Sequence, residues 1–331
     1  MLTGPGIALI GPRSPRLVTQ WARAAERAGL GSVWFIEDYF QPGAFALAGA
    51  AAAVTERVVI GLGVVNPFTR HPAVLAMETA TLAGIAPERI VLGLGSSNRG
   101  WIETQMGIPF ASPLQAVREA VEIIRRLWEG ERLSYSGRSF TLSGVKLDFA
   151  PAQATLPILL GVKGPRALAM AGEIADGVVC SILSSPGHVR RVRATTARPA
   201  REFPVAAYIP TLIDADGTRA RQHIRPFLAR YLAFLHGQSI LRDAGLDERD
   251  TQPIRDAVLA GRPAAHLVTD AMVDAVSVAG TPEECRAALA RWAEAGLDTP
   301  VAVVPPDASL LGQIARIGSE IGPFWSEVVS R

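Results

Sequence analysis

Residues 57–65 read Arg57-Val58-Val59-Ile60-Gly61-Leu62-Gly63-Val64-Val65 and open directly into Asn66-Pro67-Phe68-Thr69-Arg70-His71-Pro72. Residues 89–99 repeat the design, with Arg89-Ile90-Val91-Leu92-Gly93-Leu94-Gly95 opening into Ser96-Ser97-Asn98-Arg99. Each is an apolar run that stops at a cluster of polar side chains. Pro72 to Gly84, between them, has helical character. Strand, polar loop, helix and strand make one βαβ crossover, which places the two strands parallel. The carboxyl ends of parallel strands are where α/β proteins bind and react.

The rest of the chain repeats the pattern. Runs bounded by turn residues predict strands at Gly6–Ile10, Ser32–Ile36, Val58–Val65, Ile90–Gly95, Pro157–Gly161, Gly177–Cys180, Val205–Pro210 and Pro300–Val304. Helix signals separate them. Ser14-Pro15 starts a helix that Gly29 ends, while Ser112-Pro113-Leu114-Gln115 and Thr281-Pro282-Glu283-Glu284 read as capping boxes, the second helix stopping at Gly296. Leu114, Val117, Val121, Ile124 and Trp128 form one helical stripe. Eight strands alternating with helices predict an α/β fold of the (β/α)₈ TIM-barrel type, a fold of about 250 residues. An open doubly wound sheet is the alternative. The surplus of this 331-residue chain falls in a hairpin insertion over residues 130–150 and a helical insertion before the last strand, residues 218–279. No linker divides the chain, so residues 1–331 are expected to form a single domain.

Hydrophobic residues make up 49% of the chain and charged residues 19%, enough to bury a large core. A net charge of +2 gives no reason to invoke nucleic acid or an anionic membrane. Lys146 and Lys163 are the only lysines, which reads as a coding bias towards arginine. Cys180 and Cys285 stand far apart without a Cys-x-x-Cys motif, as suits a reducing compartment, and Cys180 lies in an apolar strand as a small hydrophobe. The N-terminus lacks the order of a secretion signal, and the longest small-apolar run, Gly43 to Val54, is too short for a bilayer. The expectation is a soluble cytoplasmic protein. The alanine-rich helix within 44–54 can pack on the barrel and on a partner subunit, which predicts a homodimer or higher homo-oligomer.

A barrel would bring the loops after its strands to one rim. They carry Glu37, Asp38, Tyr39 and Gln41; Asn66, Thr69, Arg70 and His71; Ser96, Ser97 and Asn98; Lys163 and Gly164; Ser181 and Ser184. Two placements break a local rule. His71 precedes the helix start Pro72 with Arg70 beside it, and Lys163 precedes Gly164-Pro165. A cation at a helix N-terminus costs roughly 0.3–1 kcal/mol. Helix starts with cations also bind phosphate or carboxylate, so an anionic ligand is expected here; the alternative is that both side chains extend into water. Gly93-Leu94-Gly95 is not a dinucleotide fingerprint, since Asn98 stands where glycine is needed. His71, His188, His223, His236 and His266 show no ligand spacing, so no metal is expected, and no Gly-x-Ser-x-Gly elbow is present.

The segments Asn66 to Pro72, Val91 to Gly95, Pro113 to Trp128, Gly164-Pro165-Arg166 and Ala171-Gly172-Glu173-Ile174-Ala175-Asp176-Gly177 resemble the bacterial luciferase-like monooxygenase superfamily. Within it they are similar to the branch using the deazaflavin coenzyme F420, typified by methylene-tetrahydromethanopterin reductase. The resemblance covers most of residues 6–181 and returns at 278–304. It implies a (β/α)₈ barrel and a non-proline cis peptide at Gly63-Val64 in a bulge that backs the cofactor ring. It places Asp38 at the ring edge, Asn66, Ser96, Ser97 and Asn98 near the ring and side chain, and Gly161, Val162, Lys163 and Gly164 at the phosphate. Asp38 or Tyr39 is the candidate proton donor.

The implied activity is hydride transfer between coenzyme F420 and a small organic substrate, in the reducing direction. Glu37-Asp38-Tyr39-Phe40-Gln41-Pro42-Gly43 is similar to the sugar-phosphate dehydrogenase segment of the branch. Tyr39 replaces its histidine, Gly43 its tryptophan, and Asn98 its glutamate, so sugar-phosphate oxidation is not expected. The alternatives are an FMN-dependent monooxygenase, a non-catalytic flavin-binding barrel, and a Schiff-base enzyme acting through Lys163. The last needs a desolvated lysine, whereas Lys163 reads as a loop residue.

Overall fold

Short runs rich in Val, Ile and Leu that are buried along their whole length pair on both edges and pack on both faces. In the computed structural model, which describes residue 2 and residues 4–9, 13–152 and 156–329, they do so by closing on themselves. The strands in chain order are β1 Gly6–Leu9, β2 Ser32–Phe35, β3 Val59–Val65, β4 Ile90–Leu94, β5 Leu133–Ser136, β6 Thr141–Val145, β7 Ile158–Leu160, β8 Gly177–Cys180, β9 Val205–Ile213, β10 Val278–Gly280 and β11 Thr299–Val303. Eight form a parallel barrel in the order β1-β2-β3-β4-β7-β8-β9-β11, closed by Gly6 of β1 opposite Val301 of β11. Helices lie between successive barrel strands. This is a TIM barrel. All eight expected strands are present, seven within a residue or two at each end and the seventh, Val205–Pro210, running three residues further to Ile213; Ile10, assigned to the first, lies outside the described residues.

The barrel interior is filled by Ala8, Trp34, Val59, Val91, Leu159, Val179, Ala206, Tyr208, Val301 and Val303. Trp34 takes so much of this space that a Cβ on Gly61, its register partner, would meet the indole ring. The Trp34 Nε1–H donates to Ser32 Oγ at 2.9 Å, and the ring packs edge-on to Tyr208 at 6.0 Å. A larger apolar layer joins the strands to the surrounding helices.

Both insertions are present. β5 and β6 form an antiparallel hairpin whose turn is held by the buried Glu119 carboxylate, which accepts the N–H groups of Arg138 (2.9 Å), Ser139 (2.9 Å) and Phe140 (3.1 Å). The second insertion carries helices Gly217–Phe234, Ser239–Asp243, Glu248–Leu259 and Asp270–Val276. It differs from expectation at its end, where Val278–Gly280 is a strand. β9 runs on to Ile213, and its extension offers a free edge that β10 takes from Thr211 to Ile213. The Thr281–Glu284 capping box forms. The one expected at Ser112 does not: Ser112 has φ 46°, in the left-handed region, and Gln115 donates to Glu119 at 2.9 Å. No helix among the described residues is long and apolar enough to cross a membrane.

At the carboxyl rim, the Val64 side chain occupies space that neighbouring strands vacate by using glycine. A Cβ on Gly161 would lie 2.6 Å from Val64 Cγ1, one on Gly95 2.9 Å from Cγ2, and one on Gly93 3.2 Å from Cγ1. Gly161→Ala is therefore expected to lower unfolding stability by about 1–3 kcal/mol through overpacking. Chemical denaturation of Gly161→Ala, Val64→Ala and the double variant checks this. The double variant should be more stable than additivity allows, because removing the valine methyls makes room for the new carbon.

Candidate active site

The rim begins with a bulge. Leu62 pairs with Leu92 and Val65 with Leu94, so Gly63 and Val64 together face one residue of β4. The Gly63–Val64 peptide is cis. The Tyr208 hydroxyl, from the far side of the barrel interior, donates to the Gly63 carbonyl at 2.8 Å. A Cβ on Gly63 would strike that hydroxyl, so the glycine lets the tyrosine reach the backbone. The bulge is thus clamped from within and presents the partly buried Val64 at the mouth.

The loop after β2 brings Asp38 and Tyr39 to this rim, and a second non-proline cis peptide joins Tyr39 to Phe40. Tyr39 Oη donates to Thr69 Oγ1 (3.0 Å), Thr69 Oγ1 donates to Asn66 Oδ1 (3.3 Å), and the Asn66 amide donates back to Tyr39 Oη. Asn66 Oδ1 also accepts the N–H groups of Phe68 (3.0 Å) and Thr69 (3.1 Å). Asn66 is buried with both ends of its amide hydrogen-bonded, so it builds the loop and fixes Tyr39. Burial pushes the Tyr39 phenol above its usual value, against the pull of the Thr69 hydrogen bond. Asp38 is in a different state. Burial raises its carboxyl above the usual carboxylate range, opposed by the charge of Arg230; burial, with a smaller push from Asp38, likewise raises Tyr208 and Tyr231. Of the two candidate proton carriers, Asp38 is the one outside a closed hydrogen-bonded ring.

The two cations expected to meet an anion part company. Arg70 is consumed by the protein itself. It pairs with Glu37, contacts Glu78 Oε2 at 3.2 Å and lies over the Phe45 ring at 5.0 Å. Its partner Glu37 is 7% exposed, so the guanidinium is the local counter-ion of a buried carboxylate. The anion-binding expectation for Arg70 is corrected on that ground. His71 caps the helix Pro72–Ile85, its Nδ1 accepting the Ala73 N–H at 3.2 Å.

Lys163 keeps its place at the rim, between β7 and the helix Pro165–Ile174. Nζ donates to Gln238 Oε1 at 3.0 Å, and burial pulls the ammonium down to about 8. The sequence placed it at a loop start, facing an anion or, alternatively, water; in the structure it is partly buried against the second insertion. The insertion is fixed beside it by Asp243, which accepts from Arg191 (2.5 Å) and holds His188 Nδ1 (2.7 Å). His188 Nε2 is buried without a partner among the described residues. Gly164 is the N-cap of the helix Pro165–Ile174, no side chain caps it, and a Cβ there would meet nothing within 4 Å.

The loop after β4 turns through Ser97, which has φ 61°. Asn98 Oδ1 accepts the Trp101 N–H at 3.0 Å, so its oxygen caps the turn Gly100–Gln105. The Ser184 hydroxyl donates to the Ser181 carbonyl at 2.6 Å, and both belong to a turn. Asp38, Ser96, Ser97 and Lys163 therefore stand at the carboxyl ends of β2, β4 and β7, on one rim, with Asn66 beneath them at the end of β3. The sequence reading missed the roof. On the helix Gly217–Phe234, Phe227 and Tyr231 pack on the barrel-interior cluster, and Phe234 stacks on Trp101 (6.0 Å, 21°), which meets Tyr39 edge-on (5.7 Å). Aromatic residues at 227, 231 and 234, spaced for one helical face, were the available signal.

Known proteins share this fold. The sequence profile described as luciferase-like monooxygenase matches residues 2–299, and the chain belongs to that family. The 5,10-methylenetetrahydromethanopterin reductase of Methanolobus tindarius is 30% identical over 320 residues, 94% of this chain and 97% of that protein. The F420-dependent glucose-6-phosphate dehydrogenase of Beutenbergia cavernae is 34% identical over 216 residues, covering 61% of this chain and 62% of its own length. The coenzyme F420-dependent tetrahydromethanopterin reductase structure from Methanopyrus kandleri superposes with a TM-score of 0.87 at 26% identity, covering 98% of this chain and all of that one.

The assignment of Arg70 to Glu37 and Glu78 has a direct test. Arg70→Met leaves a buried carboxylate without its counter-ion and is expected to cost about 1–3 kcal/mol of stability. Thermal unfolding reads that loss, while affinity for anionic ligands at the Lys163 rim should be unchanged.

Proposed function

We propose that the barrel is a coenzyme F420-dependent oxidoreductase that moves a hydride between the deazaflavin and a small organic substrate, in the reducing direction. The observation that carries the reading is the rim itself: an uncapped helix start at Gly164, the partly buried ammonium of Lys163 beside it, and the bulge at Gly63–Val64 on β3, whose Val64 reaches Gly161 at the end of β7. A helix start with a fixed cation suits a phosphate, and the glycine-cleared bulge suits a flat ring. The names borne by the reductase and dehydrogenase relatives support the same cofactor. Gly161, Val162, Lys163 and Gly164 would hold the phosphate; Gly63, Val64, Ser96 and Ser97 would border the ring. When bound, the deazaflavin supplies hydride from a ring carbon that stands where flavin has its reactive nitrogen, so it activates oxygen poorly.

The chain's own part is positioning, exclusion of water and custody of a proton. Asp38 holds that proton, because its partly buried site favours the neutral carboxyl. Asn66 and Thr69 fix Tyr39, and Trp101 with Phe234 shields the mouth.

A second copy of the chain completes the proposal. The helix Ala44–Ala52 has no polar side chain at all, and its neighbour Pro72–Ile85 has three, Glu78, Thr79 and Thr81. On the latter, Val74, Met77 and Ile85 are 39%, 45% and 48% exposed. A helix apolar on all sides belongs inside something, and a homodimer covers this face.

Fluorescence-quenching titrations with F420 and with FMN test the cofactor. Binding of F420 in preference to FMN is expected, and tight FMN binding without F420 binding overturns the proposal in favour of a monooxygenase. Lys163→Met should weaken F420 by roughly 10–100-fold, the worth of a hydrogen bond to a charged group. Because the anion needs the ammonium form, wild-type affinity should fall as pH rises through about 8, and the variant should lose that dependence. Sedimentation of Val74→Glu/Met77→Glu should show monomer where the parent shows dimer.

A further inference from the structure

The helix Gly217–Phe234 carries four arginines, and three of them are spoken for. Arg219 pairs with Asp214, Arg221 with Asp274 at 2.5 Å, and Arg225 with Asp270 at 2.9 Å. Arg230 has no ion pair within 4.0 Å among the described residues, and it is exposed. It is also the one placed on the face turned to the mouth. Counting from Phe227, residues 230, 231 and 234 follow at the three-, four- and seven-residue spacings of a single helical face. Phe227 and Tyr231 on that face pack on the barrel-interior cluster, and Phe234 stacks on Trp101. The charge of Arg230 reaches Asp38 on the loop after β2, where it favours the ionised carboxyl against burial. An unpaired planar cation thus shares a helix face with three aromatic rings, and its charge acts on a carboxyl that burial keeps towards its neutral form.

We propose that Arg230 receives the anionic group, a carboxylate or a phosphate, of a substrate whose flat apolar body lies against Trp101 and Phe234. The guanidinium offers a two-pronged donor fork that matches either anion, and the ring pair offers stacking area. Asp38 provides the polarity in reverse: an anion held on Arg230 cancels the charge that favours Asp38 ionisation and so secures its proton. The substrate class follows as a planar or aromatic acid rather than a neutral alcohol or ketone. This rests on the mouth being the reaction site proposed above. An anion on the cofactor tail has the same chemistry, and the experiment separates the two.

The probes are 2-naphthoate and its neutral counterpart 2-naphthamide, titrated calorimetrically into F420-loaded protein and into cofactor-free protein. Wild type should bind the naphthoate about tenfold tighter than the amide, the worth of one charge-assisted contact at a solvent-accessible site. Arg230→Gln should abolish that preference, with amide affinity and F420 affinity unchanged, and Arg230→Lys should restore part of it. Circular dichroism of both variants controls for folding. Equal binding of acid and amide by wild type, or an undiminished preference in Arg230→Gln, overturns the proposal. So does a loss of F420 affinity in Arg230→Gln with the naphthoate preference intact, which would assign the arginine to the cofactor. If F420 does not bind wild type at all, the cofactor reading fails by itself, and the cofactor-free titration still decides the role of Arg230.

Discussion

Closing eight strands into a barrel leaves little free room inside, and the active rim is built out of that shortage. Trp34 and Tyr208 fill the interior, and the bulge in β3 pushes Val64 towards β4 and β7. The crowding is relieved by removing side chains: Gly95 and Gly161 stand where a single carbon would collide with Val64, and Gly93 where it would strike the Leu62 carbonyl at the start of the bulge. The Tyr208 hydroxyl then ties the bulge down through the Gly63 carbonyl, 145 residues away in sequence. Because protein interiors transmit strain rather than absorb it, the platform at the rim is as rigid as the core beneath it.

The charged groups around that platform are sorted by what they already hold. Arg70 is occupied by two carboxylates and braces the loop after β2. Lys163 is partly buried against the insertion with a neutral hydrogen-bond partner, Gln238, so its charge is poorly compensated. Asp38 and Arg230 do not close into an ion pair, and burial lifts the Asp38 carboxyl against the charge of Arg230. A site that must accept an anionic ligand and protect a proton is served by groups left in this unfinished state.

The barrel was legible because its signals are local. Each strand is a run of apolar residues ended by polar ones, and the eight predicted runs are the eight barrel strands. The rim residues followed from those strand ends. The cis bond at Gly63–Val64 came only through family resemblance, since nothing in two small residues announces it. What sequence could not show was partnership over distance. Lys163 looked exposed because Gln238 lies 75 positions away, and Arg70 looked free because Glu37 lies 33 positions before it. Ser112 looked like a capping side chain because the residue types were right, yet its backbone is left-handed and its hydroxyl makes no cap hydrogen bond. Tyr208, Trp101 and the aromatic face of the helix Gly217–Phe234 carry no motif, and only folding brings them to the mouth.

The cover over Lys163 has a consequence for how such a protein diversifies. Floor and roof of the pocket come from separate stretches of chain: the strands and their glycines below, residues 227–243 above. Gln238, Asp243, Arg230 and Phe234 all belong to the roof, and none of them takes part in closing the barrel. Replacing that one stretch would exchange the clientele of the pocket while leaving its foundation untouched, so new preferences are open to it without renegotiating the fold.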